Sequence, residues 1–106
     1  MSLKMQKLLP IFDCTGLCLF TIGAVGPRLD LVLDLLNARF GWGLEQGWFE
    51  KMSVQTLRDE YRFNELAGFT RVHHRLPECF TERPLPELGT VFDVPEEDLD
   101  HLLRYE

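Results

Sequence analysis

An all-α fold is predicted from three observations. Apolar residues recur at helical spacing over residues 28–40 and again over residues 44–67, glycines close both runs, and no stretch alternates polar and apolar residues as a strand would. The 106 residues are 45% hydrophobic and 26% charged, the make-up of a folded chain rather than a disordered one. That length suits one domain with a single modest core.

Element by element, the first helix or turn is short and ends at Pro10, which lacks the backbone N–H a helix interior needs. Asp13 then caps a second segment that runs to about Ala24, and Gly26-Pro27 breaks the chain. From Arg28 the helical period is clear. Leu29, Val32, Leu33, Leu36 and Phe40 share one side, Asp30, Asp34 and Asn37 face the other way, and Gly41 marks the stop. A further helix spans about Leu44 to Ala67, with Met52, Leu57, Tyr61 and Leu66 on its apolar side and Gly68 at its end. Its start is weakly signalled, because Gly43 is a poor cap and Gly47 lowers helix stability by about 1 kcal/mol. Past Phe69, prolines 77, 84 and 86 with Gly89 predict a long irregular segment, of the kind that lies over another surface or serves a site. Asp93, Pro95 and Glu96 announce a last helix carrying Leu99, Leu102 and Leu103.

Several function classes are excluded. A net charge of −6 with scattered Arg and Lys gives no electrostatic footprint for nucleic acid. The longest apolar run, residues 11–25, is interrupted by Asp13 and too short to span a bilayer, and no basic amphipathic helix suits a membrane surface. The opening MSLKMQKLL lacks a signal-peptide cleavage pattern, so the cytoplasm is the expected location. Three cysteines in such a chain read as free thiols or metal ligands in a reducing compartment. No Ser/His/Asp or Cys/His arrangement and no glycine-rich phosphate loop can be assembled.

The segment DCTGLCLF, residues 13–20, concentrates the chemistry. Asp13 reads either as a helix N-cap or as a ligand-binding carboxylate, since burying an unpaired acid costs several kcal/mol. Capping does not account for Gly16, which in a helical turn signals close approach of another group to the backbone. Cys14 and Cys18, four apart, share one face if the segment is helical; they read as small buried hydrophobes or as a thiolate pair for a metal. Cys79 could add a third thiolate, but no fourth ligand is apparent. The adjacent His73 and His74 read as solvated loop residues rather than a metal pair. Glu96, Glu97, Asp98 and Asp100 form a helix N-terminus and its wet face, and Trp42, Trp48 and Phe49 are core or interface anchors.

Taken in register, four stretches resemble one family. DCTGLCLF is similar to the D-x-x-G-L-C-x-F motif near the end of aldehyde ferredoxin oxidoreductases, the tungsten- or molybdenum-pterin enzymes. LLNARFGW resembles that family's LLNA-x-x-GW segment, and TLRDEYRFNELAGFT its ER-x-FN-x-x-x-GFT helix end. RLPECFTERPLPELGTVFDVPEEDLD resembles its LPE-x-F-x-x-EPLP…G-x-VFD tail, so the match covers nearly the whole chain.

The resemblance implies oxidation of aldehydes to carboxylic acids, with electrons passed through a 4Fe–4S cluster to ferredoxin and the metal held by the dithiolenes of two pterins. It implies that Asp13 binds a pterin ring, that the Gly16-Leu17 turn lies against the cofactor, and that Cys18 is the fourth cysteine ligand of the cluster. Cys14 falls at a variable position of the motif. The family's other three cluster cysteines form an upstream C-x-x-C-x-x-x-C run that is absent here, as are the N-terminal pterin-binding domain and the first D-x-x-G-L-x motif. The chain is therefore expected to be the C-terminal portion of such an enzyme, truncated or separately encoded, and by itself inactive and cofactor-free. Its expected partners are the portion or subunit with the three-cysteine run, ferredoxin and an aldehyde, with a second copy as a further candidate for the exposed apolar surface. His73-His74 replace two acids frequent in the family, and Cys79 replaces a basic residue. Two rival readings remain at this point: a helical interaction module that keeps the fold without redox function, and a small metal-binding protein using Cys14, Cys18 and His73 or His74.

Overall fold

The computed structural model describes residues 2–102, and every regular element among them is helical. The elements are α1 (Ser2–Thr15), α2 (Ile22–Val25), α3 (Leu29–Phe40), α4 (Trp48–Leu66), α5 (Cys79–Glu82) and α6 (Glu96–Leu102). 3₁₀ turns at Leu19–Thr21 and Gly26–Arg28 bracket α2, and a third occupies Arg71–His74. The chain divides into two compact units, the first closing at Asp59 and the second opening at Glu60.

In the first unit, Ile11 and Phe12 of α1, Leu33 of α3 and Phe49 of α4 form the buried core. Leu8, Leu17, Ile22, Val25, Leu36 and Met52 pack around it half-buried. This packing overrides the expected end at Pro10: α1 runs through the proline, which is itself buried beside Ile11 and Phe12. A proline in a helix interior costs ~3 kcal/mol, and burial of a side chain such as Phe12 recovers a comparable amount. Pro10 cannot donate to the Gln6 carbonyl, and the neighbouring Lys7 carbonyl takes a hydrogen bond from the fully buried Ser53 hydroxyl of α4. Ser53 thereby joins α4 to α1 at the proline.

The break at Gly26-Pro27 is as expected: α2 ends at Val25, and Gly26–Arg28 forms a 3₁₀ turn that leads into α3, where a proline ahead of the helix has no N–H to lose. Two further expectations are corrected here. On α3 the stop at Gly41 is as expected, but Asn37 is half-buried and Phe40 is exposed. The Asn37 side chain donates to the Leu44 carbonyl at 2.9 Å and accepts from the Leu44 N–H at 2.7 Å, so its amide clamps the following loop. Phe40 instead stacks on Trp42, with ring centroids 4.5 Å apart. Helix α4 starts at Trp48, so Gly47 lies ahead of it and does not weaken it.

The second unit begins within α4 and is built differently. None of its described residues is buried. Backbone and polar ties fix it: the Phe92 N–H donates to the Phe80 carbonyl at 2.8 Å, and the Leu85 N–H to the Thr90 carbonyl at 2.9 Å. The expected irregular segment contains two short turns of helix, Arg71–His74 and α5. The last helix starts at Glu96 rather than just after Asp93, and Leu103 lies outside the described residues. Asp100 is not on a wet face as expected; it accepts from Arg75 at 2.6 Å and pairs with Arg71 at 3.5 Å, while Glu96 stands 3.9 Å from Arg75. The hydrogen bond and charge of Asp100 hold the Arg75 guanidinium above its ordinary pKa.

Candidate functional site

Residues 13–18 form a helix end, not a helix start. Asp13 sits in the last turn of α1, where the Gly16 N–H bonds its carbonyl at 3.3 Å and the Leu17 N–H bonds the Phe12 carbonyl at 3.0 Å. This bond pair is a Schellman motif, and it requires a left-handed residue, here Gly16 at φ 70°. The backbone conformation thus accounts for the glycine by itself, and a Cβ built there would meet nothing within 4 Å. The expected N-cap role of Asp13 is overturned because buried Pro10–Phe12 packing carries α1 on to this turn.

That reversal leaves Asp13 with no local role. Its side chain is exposed, and no described residue bonds it. It stands at the C-terminal end of a helix, where the macrodipole disfavours a negative charge by roughly 0.3–1 kcal/mol. The premise of a buried acid does not hold; what needs explaining is an unpaired acid in an unfavourable place.

Leu17 follows with its side chain half-buried against the core, which pins the turn. Cys18 is extended (φ −65°, ψ 129°) and caps the next 3₁₀ turn, its carbonyl accepting from the Thr21 N–H at 2.9 Å and the Thr21 hydroxyl at 2.6 Å. Its thiol is exposed. Beyond it stand Leu19 and Phe20, 52% and 98% exposed. The turn therefore offers a carboxylate and a thiol, on a backbone fixed by the core on one side and by hydrogen bonds on the other.

The helix ends between Cys14 and Cys18, so the two do not share a helix face. Cys14 is exposed rather than packed as a small hydrophobe, its Sγ 3.8 Å from the Thr56 hydroxyl. Cys79 is exposed at the start of α5. The two histidines serve separate purposes: His73 Nδ1 accepts from the Thr70 N–H at 2.9 Å, and His74 stacks on Tyr61 at 5.6 Å. Among the described residues no three His, Cys, Asp or Glu side chains gather to hold a metal. No described helix is long and apolar enough to cross a membrane.

Sequence reasoning missed Ser53 and the Arg75–Asp100 pair. Neither had a local signal: the carbonyl that Pro10 frees is that of Gln6, whereas Ser53 bonds that of Lys7, 46 residues away, and Arg75 and Asp100 are 25 residues apart.

Comparison with known proteins matches residues 1–105 to the family model described as aldehyde ferredoxin oxidoreductase, domains 2 and 3. Tungsten-containing aldehyde ferredoxin oxidoreductases are similar over 88 residues: the Pyrococcus furiosus protein at 36% identity, that of Thermococcus kodakarensis at 35% and that of Pyrococcus horikoshii at 34%. Each alignment covers 82% of this chain, which spans only 14% of the length of these relatives. No solved structure matches the chain.

Proposed function

The chain belongs to the aldehyde ferredoxin oxidoreductase family, and from that premise we propose that it acts as the C-terminal portion of an enzyme that oxidises aldehydes to carboxylic acids. The turn at residues 13–18 is the part of that enzyme which holds the cofactors. The names of its relatives favour tungsten over molybdenum, and the resemblance of residues 13–20 to the family motif implies two pterins and a 4Fe–4S cluster beside it. When bound, these groups would supply the two-electron oxidation of an aldehyde and water to a carboxylic acid and two protons, with ferredoxin as the electron acceptor.

The observation that carries this reading is the pairing of exposed, unpartnered Asp13 with exposed Cys18 across a turn anchored in the core. A carboxylate accepts hydrogen bonds from the amino and ring N–H groups of a pterin, and a thiolate is the ligand an iron–sulfur cluster takes. The donor set fits both groups. Gly16 leaves open space beside the backbone for a flat ring. Leu17 holds the turn through its side chain, leaving only its backbone to face the cofactor. Leu19 and Phe20, exposed next in the chain, offer apolar surface for the rest of the enzyme to cover. Cys18 is one of four ligands, so the isolated chain is inactive and free of cofactor, and the other three come from the portion carrying the upstream three-cysteine run. The assembled protein works in the cytoplasm.

Co-expression with a chain bearing that run tests the proposal. The complex should contain iron and tungsten, and Cys18→Ser should remove the iron. Asp13→Asn, which keeps the shape but weakens the acceptor, should lower pterin and tungsten content while sparing iron. Unchanged iron in Cys18→Ser would sink the assignment.

A second reading is favoured by one observation, the number of large apolar side chains left exposed, among them Phe20, Leu35, Phe63, Leu66 and Leu88. As a pure interaction module the chain would form a stable complex that carries no metal and is indifferent to loss of Asp13 and Cys18.

A further inference from the structure

The second unit holds a cavity that the proposed function leaves unused. It measures about 580 Å³, lies between α5 and the chain folding back over residues 84–92, and falls within the size range of small-molecule sites. The backbone bonds from Phe92 to Phe80 and from Leu85 to Thr90 fix its frame. Phe80, Leu85, Pro86, Val91 and Phe92 give it apolar walls. Phe80 and Leu85 are 52% and 56% exposed, so this apolar surface gains free energy from an occupant that removes it from water.

Charge decides what that occupant is. Among the described residues, Arg83 is the only charged one lining the hollow. Among the described residues no ion pair or hydrogen bond engages its guanidinium. Glu78, Glu82 and Glu87 are close in sequence, yet none of them lines the cavity. A guanidinium presents a planar fork of donors that matches a carboxylate, and the walls around it match an uncharged body. We infer that this cavity binds a monocarboxylic acid with an aliphatic or aromatic body, with Arg83 holding the carboxylate and Phe80, Val91 and Phe92 covering the body. The site is in the second unit and does not depend on the cofactor reading of residues 13–18.

Cys79 makes the test direct, because its exposed thiol lines the cavity while Cys14 and Cys18 in the first unit serve as internal controls. The full chain is alkylated with iodoacetamide in the presence of octanoate or octanol, and each cysteine is followed by mass spectrometry. Octanoate should slow alkylation of Cys79 several-fold without changing Cys14 or Cys18. Octanol has the same body without the charge, and should need about tenfold more for the same protection. Arg83→Gln should abolish the difference between the two, and Val91→Trp, which fills the hollow, should abolish protection by both while circular dichroism shows the helices intact. Equal protection by octanoate and octanol in the unaltered chain overturns carboxylate recognition. Equal slowing at all three cysteines, or none at Cys79, overturns the site itself.

Discussion

The two units solve the problem of staying folded with different means. The first buries Ile11, Phe12, Leu33 and Phe49 from three helices and seals the seam with the Ser53 hydroxyl. The second buries none of its described residues and relies on Arg75 with Asp100, the Thr70–His73 cap and a few backbone bonds. The contrast teaches where each kind of stability originates. Helical periodicity concentrates apolar side chains on one face and yields a core; a proline-rich segment cannot, and must close on polar and backbone groups that water also competes for.

The sharpest way to break that contrast is to remove the core. Phe12, 1% exposed, should lose about 3–5 kcal/mol as Phe12→Ala, a large share of the stability of any small domain. Phe20→Ala, at 98% exposure, should stay within about 0.5 kcal/mol of the unaltered chain in the same urea titration. Comparable losses in the two would mean that the buried cluster is not what holds the first unit.

A motif common to both units gives the next largest effect. Gly16 at φ 70° and Gly68 at φ 92° each close a Schellman turn, the second through bonds from Gly68 to Glu65 and from Phe69 to Asn64. Nothing lies within 4 Å of a Cβ at either position, so alanine meets only backbone strain, about 1–2 kcal/mol in each case. The two should differ in function instead. In the co-expressed complex Gly16→Ala should reduce tungsten and pterin content, and Gly68→Ala should not. Equal metal content would detach the Gly16 turn from the cofactor.

The sequence exposed the fold class and the later helix ends more clearly than the local geometry of the site. Period and glycine together announced α3 and the end of α4, because both are properties of neighbouring residues. Pro10 misled, since its local penalty was visible while the burial that offsets it depends on Phe49 and Leu33, far along the chain. Reading α1 as broken there turned Asp13 from the end of one helix into the start of another. Asp13 and Cys18 were singled out through residue type and resemblance, and the exposed, unpartnered state of Asp13 became visible only in three dimensions. Asn37 and Asp100 failed for the same reason: each looked solvated in a periodicity that cannot register a partner at Leu44 or Arg75.

A smaller effect should come from the polar closure of the second unit. Arg75→Gln removes the charge that Asp100 and Glu96 face. Amide exchange in α6 should quicken, and added salt of about 1 M should move the unaltered chain partway towards the variant. Exchange indifferent to both would show that the backbone bonds alone hold α6.

The smallest expected effect belongs to the first unit and lies on its surface. Arg28 donates to Asp30 at 3.0–3.3 Å, and that hydrogen bond, with the charge of Arg28, holds the Asp30 carboxyl below its ordinary value of 3.8. A carboxylate whose pKa is lower in the folded chain stabilises it fully above the unfolded value, and that contribution fades as pH falls through the folded one. The stabilisation is therefore present at neutral pH and lost below about pH 4, where the unfolded chain takes up the proton first. Both side chains are about half exposed, at 57% and 49%, so water and salt screen the pair and the change in stability should be slight. Carbon NMR titration is the sensitive readout. The Asp30 carboxyl should titrate below its ordinary value of 3.8, and Arg28→Gln should raise it. If Arg28→Gln leaves it unmoved, the surface pair contributes nothing and stability in the first unit rests on its core alone.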